Sequence, residues 1–163
     1  MNSNTFEPAA HLHRFSSVAL DRCPHPDFID VHAVPLTEGL PLDPAWWAKE
    51  AFSPRTMPRW VLALLGVRQL AVRLIGLRPS PADTFAIDDV VGEEALIEVS
   101  DRHLDFWCAV GVDAGRRLLR VTTVVSLHGW RGRVYWSVVR LFHGVVVQAM
   151  LRRTVRAARP VGS

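Results

Sequence analysis

Beyond residue 84 the chain changes period, and that change narrows the available folds more than any other feature. The runs "TFAIDDVV" (84–91), "EEALIEVS" (93–100), "HLDFWCAVGV" (103–112), "RLLRVTTVVSLH" (117–128) and "RVYWSVV" (133–139) are strand-like, rich in β-branched and aromatic residues. Links such as "DR", "DAGR" and "GWRG" are long enough only for antiparallel hairpins, so the runs predict a meander of five strands. The spacing then switches to the helical one. Val139, Phe142, Val146, Ala149, Met150 and Arg153 predict a long amphipathic helix over residues 139–158.

Upstream, "DFIDVHAVPL" (27–36) sets Phe28, Asp30, His32 and Val34 against Ile29, Val31, Ala33 and Pro35, a short strand closed by proline. Asp43 as N-cap and Pro44 at the first helical position open a helix, which "SPRTMPRW" breaks. A second, apolar helix is expected over residues 58–77. Residues 1–26 show no sustained period and are expected to form a partly ordered arm, and residues 159–163 a tail. Between them lies one domain, 27–158, ordered strand, two helices, five or six strands, long helix: the α+β class. A chain of 163 residues is long enough to bury a core without disulfide or metal.

Composition removes several function classes. The net charge of +3 is too small to imply nucleic acid, and arginines 152, 153, 156 and 159 suit a helix C-terminus. Cys23 and Cys108 lie far apart with no metal-ligand spacing, which suits reduced thiols in the cytoplasm, and the N-terminus carries no secretion signal. In "WVLALLGVRQLAVRLIGL" (60–77), the insertion gain of the aliphatic residues is about cancelled by Arg68 and Arg73, so membrane contact is not expected. The seven histidines are dispersed and no metal is expected; glycine-serine nucleophile elbows, phosphate loops and Rossmann glycines are absent from the sequence.

The residues that could carry chemistry are few. His103 and Asp105 share one face of a strand with side chains based about 7 Å apart, close enough for a carboxylate to orient an imidazole. Arg120 and Thr122 sit in the matching row of the next strand. His143 lies near the apolar stripe of the last helix, with Tyr135 upstream as its alternative acid–base partner. Of the six tryptophans, Trp60, Trp107 and Trp136, with Phe142, are the candidates to line an aromatic pocket.

The words "DFIDVHAVPL", "PRWVLALLGVRQLAVRLIGL", "DRHLDFWCAV", "VTTVVSLHGWRGRVYWSVV" and "FHGVVVQAMLRR", spread over residues 27–153, resemble a bacterial family known as domain of unknown function 2867. The element order resembles the helix-grip fold of START domains, the birch-pollen-allergen family and the polyketide cyclases. The resemblance implies a curved antiparallel sheet of about six or seven strands around a long C-terminal helix, with two helices after the first strand. Relatives of this kind also occur as a tail behind short-chain dehydrogenase-like NAD-binding domains, and this chain corresponds to the tail, so no cofactor is implied. It departs from the family's wording at Trp107, where an arginine is common, and at Leu141 and Gly144, where proline and a basic residue are frequent. The function expected is binding of an apolar or aromatic small molecule between sheet and C-terminal helix, without nucleic acid and with homodimerisation left open. The alternative is an enzyme on the same scaffold, a cyclase, dehydratase or hydrolase of a secondary-metabolite pathway, using His103 with Asp105 or His143 with Tyr135.

Overall fold

A computed structural model describes residues 15–63 and 86–159. Five strands, β1 (Phe28–Pro35), β2 (Asp89–Val91), β3 (Glu94–Ser100), β4 (Leu104–Asp113) and β5 (Leu118–Leu127), form one antiparallel sheet in the order β1-β5-β4-β3-β2. β2 to β5 are the meander, and β1 closes against β5 as an edge strand. The helices are α1 (Val18–Asp21), α2 (Pro44–Ala51) and α3 (Gly129–Ala157). A further helix begins at residue 59, so the greater part of the apolar segment 60–77 lies outside the described residues. The architecture is α+β and helix-grip-like, a sheet with a long C-terminal helix laid on it.

The register sorts every side chain on the sheet to one face or the other. Phe106, Cys108, Val110 and Val112 stand opposite Val125, Thr123, Val121 and Leu119, and these in turn opposite Phe28, Asp30, His32 and Val34. This face is the main core, closed by Trp47 of α2 and Leu151 of α3, both almost fully buried. Each large side chain so buried contributes roughly 1.5–3 kcal/mol. α2 starts as its cap requires: the Asp43 carboxylate accepts from the Ala45 amide at 2.9 Å, and Trp47 Nε1 donates to the Pro41 carbonyl at 2.8 Å. On the reverse face, Trp107, Ala109, Val124 and Leu96 pack beneath Ala19 and Cys23 of the N-terminal arm. The row of Asp105 and Trp107 is therefore partly roofed.

The sheet has five strands among the described residues, where six or seven were expected, because "RVYWSVV" is helix. Val134, Val138, Val139, Tyr135 and Trp136 are good strand formers, but tertiary contacts override that preference. Gly129, with φ of +65°, turns the chain out of β5, and the His128 amide donates to the His103 carbonyl at 2.7 Å. Gly132 then lies against the His103 carbonyl so closely that a Cβ would overlap its oxygen. The "GWRG" link is thus a corner from sheet into helix. From there Gly132, Trp136, Leu151 and Thr154 repeat at helical intervals on the buried face of a 29-residue helix, about 44 Å long.

Candidate functional site

β1 is the place where polar side chains enter the core face. Alternation sends Phe28, Asp30, His32 and Val34 toward α3, and α3 meets them with Trp136, His143 and Gly144. Trp136 and His143, seven residues apart, share one helix face. The rings of Phe28, Trp136 and His143 form a triangle, with centroids 5.0 Å (Phe28 to Trp136), 5.8 Å (Phe28 to His143) and 5.6 Å (Trp136 to His143) apart. Beside it, Oδ2 of Asp30 lies 2.8 Å from Nε2 of His32 and 3.8 Å from Nε2 of His143. At Gly144 α3 passes close over β1: a Cβ there would stand in contact with the His32 ring, at 3.4 Å.

The electrostatics of this seam are uneven. Burial pushes the His143 imidazole below its ordinary pKa, and the approach of Asp30 only partly opposes it, while His32 adds to the lowering. His143 is accordingly neutral near pH 7. Its Nε2, and Nε1 of Trp136, are buried without a hydrogen-bond partner. An unsatisfied buried group costs about 1–3 kcal/mol, so two in one seam are a standing deficit that an incoming polar atom could relieve. Asp30 and His32 keep a quarter and a fifth of their side-chain surface exposed, so solvent reaches the seam's rim. The set offers an aromatic wall, an indole donor, a neutral imidazole and a carboxylate that orients a second imidazole.

A family model, described as a protein of unknown function (DUF2867), matches residues 22–150. The chain belongs to that family. No curated protein and no solved structure matches it. All six seam residues of this DUF2867 domain lie inside the matched span, whereas α1 precedes it.

The remaining residues singled out from sequence are scattered over the DUF2867 domain. Asp105 does not pair with His103: its Oδ1 accepts from Ser100 Oγ at 2.6 Å and its Oδ2 meets His128 Nε2 at 2.8 Å, while His103 uses its carbonyl to hold the start of α3. His103 precedes β4, in the turn from β3, so strand alternation does not align it with Asp105, and His128, the residue that follows β5, reaches Asp105 instead. Tyr135 and His143 are eight residues apart on one helix, about 12 Å along its axis, which is too far for a direct pair. Trp107, Thr122 and Arg120 lie on the reverse face of the sheet, separated from Trp136 and His143 by the sheet itself. Trp60 and Phe142 are each about half exposed. Among the described residues no group of three His, Cys, Asp or Glu is placed to hold a metal.

Arg120 has a structural occupation. Its Nη2 donates to Glu94 Oε1 at 2.6 Å across Gly111, and Glu94 Oε2 accepts from Ser17 Oγ at 3.0 Å and from the Val18 amide at 2.6 Å. A Cβ at Gly111 would stand 3.0 Å from Glu94 Cγ, so glycine leaves the room the bridge occupies. A shallow hollow of about 270 Å³ opens beside this latch, lined by Ser17, Asp21, Glu94 and Arg120 among others. Sequence reasoning missed Asp30 and His32. The available signal was two polar residues in a row that also holds Phe28 and Val34, which only a partner from elsewhere, here His143, makes meaningful.

Proposed function

We propose that this DUF2867 domain binds a small aromatic molecule bearing a hydrogen-bonding oxygen, seated at the seam between β1 and α3. The observation that carries the reading is the pair of buried, partnerless nitrogens, Trp136 Nε1 and His143 Nε2, on rings 5.6 Å apart beside Phe28. A hydroxyl or carboxylate oxygen would satisfy them while its ring stacks on the aromatic wall. Calorimetric titration with naphthol and naphthoate tests this. Trp136→Phe and His143→Gln should each weaken binding roughly tenfold, the equivalent of about 1.4 kcal/mol. Affinities equal to wild type in both variants would overturn the reading.

A second reading, catalysis of the cyclase, dehydratase or hydrolase type, draws on the same seam and on one specific observation: a neutral imidazole at 3.8 Å from a carboxylate that already orients another imidazole. His143 would take the substrate proton and Asp30 would stabilise the imidazolium so formed. It requires a turnover that Asp30→Asn lowers by more than it weakens binding. The helix-grip-like element order supports kinship with START-like proteins, and two free, buried cysteines suit a reducing cytoplasm.

A further inference from the structure

The two partnerless nitrogens of the seam make different demands on a ligand. Nε1 of Trp136 is an N–H and only donates, whereas Nε2 of His143 donates or accepts according to which ring nitrogen holds the proton. Close by stands a group that only accepts, the carboxylate of Asp30, with Oδ2 at 3.8 Å from Nε2 of His143 and 2.8 Å from Nε2 of His32. Among the described residues these two histidines are the only ion-pair partners of Asp30, and no arginine or lysine neutralises it. The formal charge nearest the two open nitrogens is therefore negative.

Two kinds of ligand oxygen fare differently against this set. A hydroxyl accepts from the indole N–H and still has a proton to place. In one tautomer it donates to bare Nε2 of His143; in the other it accepts from that nitrogen and turns its own proton toward Asp30. Either way each group gains a partner and no charge is buried. A carboxylate also accepts from the indole, but it brings no donor and sets a second negative charge beside Asp30, where burial makes like charges costly. A site shared by two carboxylates holds a proton that either alone would release.

We infer that the seam, given the binding role proposed above, selects aromatic alcohols of the phenol type over aromatic carboxylates, and admits a carboxylate only together with one proton. His143 is the natural place for that proton. It is neutral in the empty seam because burial holds its pKa down, with Asp30 opposing and His32 assisting. α2 and β5 also pack against α3, and among the described residues neither brings a charge that acts on His143.

Titration calorimetry with naphthol and naphthoate, which share one ring system, separates the two head groups. Run near pH 7 in phosphate and in Tris, whose ionisation enthalpies differ, it also counts protons. Naphthol should bind at least about tenfold tighter, with the same enthalpy in both buffers. Naphthoate should take up close to one proton and lose affinity several-fold per unit as pH rises from about 6 to about 8. Asp30→Asn removes the repelling charge and should cut the preference for naphthol to below about threefold. Naphthoate that binds as tightly as naphthol without taking up a proton overturns the selection, as does a preference unchanged in Asp30→Asn; the seam itself still stands if Trp136→Phe weakens both ligands. No binding of either ligand, or binding that Trp136→Phe leaves intact, removes the seam and the selection with it.

Discussion

Nε2 of His143 stands 3.8 Å from Oδ2 of Asp30, beyond hydrogen-bond reach, while the same oxygen is bonded to His32 at 2.8 Å. The carboxylate is thereby committed to one imidazole and only polarises the other. Most of what the seam can do follows from that asymmetry.

The first consequence is a pH dependence of folding. The native His143 imidazole titrates below its ordinary value of 6.5 because burial outweighs the pull of Asp30. As pH falls, the unfolded chain takes up this proton before the native one does. Stability present above pH 6.5 is therefore lost as pH drops through the lowered native pKa. Melting curves from about pH 8 to about pH 5 should show this decline, and His143→Gln should flatten it. Identical slopes for the two proteins would show that His143 is not the titrating group.

Two glycines of α3 separate helix propensity from packing. Alanine is normally favoured over glycine inside a helix by about 1 kcal/mol. At Gly132 the new Cβ would collide with the His103 backbone, so Gly132→Ala should cost about 1–3 kcal/mol despite that preference. At Gly144 the Cβ meets the His32 ring at 3.4 Å and Asp30 Oδ2 at 3.9 Å, both ordinary contacts with side chains, and Gly144→Ala should stay within about 1 kcal/mol of wild type. Urea unfolding of the pair decides the point, and equal effects would mean the α3 corner is looser than described.

Glu94 ties the N-terminal arm to the sheet. Its carboxylate is 8% exposed and serves Arg120, Ser17 and the Val18 amide together. Glu94→Ala should cost about 2 kcal/mol, below the value for a fully buried pair because Arg120 is 26% exposed. Hydrogen exchange at residues 18–21 should rise in parallel. Retained protection there would mean that the apolar contacts of Ala19 and Cys23, with the Arg22–Glu98 ion pair at 3.1 Å, hold the arm without Glu94.

The fold class was legible because its signal is local. The alternation through Phe106, Cys108 and Val110 marks one buried face, and Asp43 with Pro44 marks a helix start, whatever the rest of the chain does. The start of α3 was not legible, since Val134 to Val139 read as strand in isolation, and the deciding contact, Gly132 on His103, joins two distant pieces of backbone. The site shows the same division. His143 could be named from its helix and Trp136 as an aromatic of a run that read as strand, but Asp105 looked like the acid to pair because His103 is near it in sequence, and the third dimension gives Asp105 to His128 and Ser100 instead.

That partly exposed arrangement at Asp105 should matter little to either stability or the seam. With His128 45% exposed, Asp105→Ala is expected to cost no more than about 1 kcal/mol and to leave naphthol affinity unchanged. A loss of binding in this variant would relocate the site to the end of the sheet where His103 and Asp105 lie.

The claim that a ligand enters the seam is tested most directly by the indole N–H resonance of Trp136, assigned by its disappearance in Trp136→Phe, during titration of nitrogen-15-labelled protein with naphthol. The buried and unpartnered Nε1 should acquire an acceptor, so its proton should move downfield along a saturable curve, with the His143 ring signals following the same curve. A Trp136 resonance that stays fixed while naphthol binds elsewhere, or does not bind at all, would contradict the proposed site.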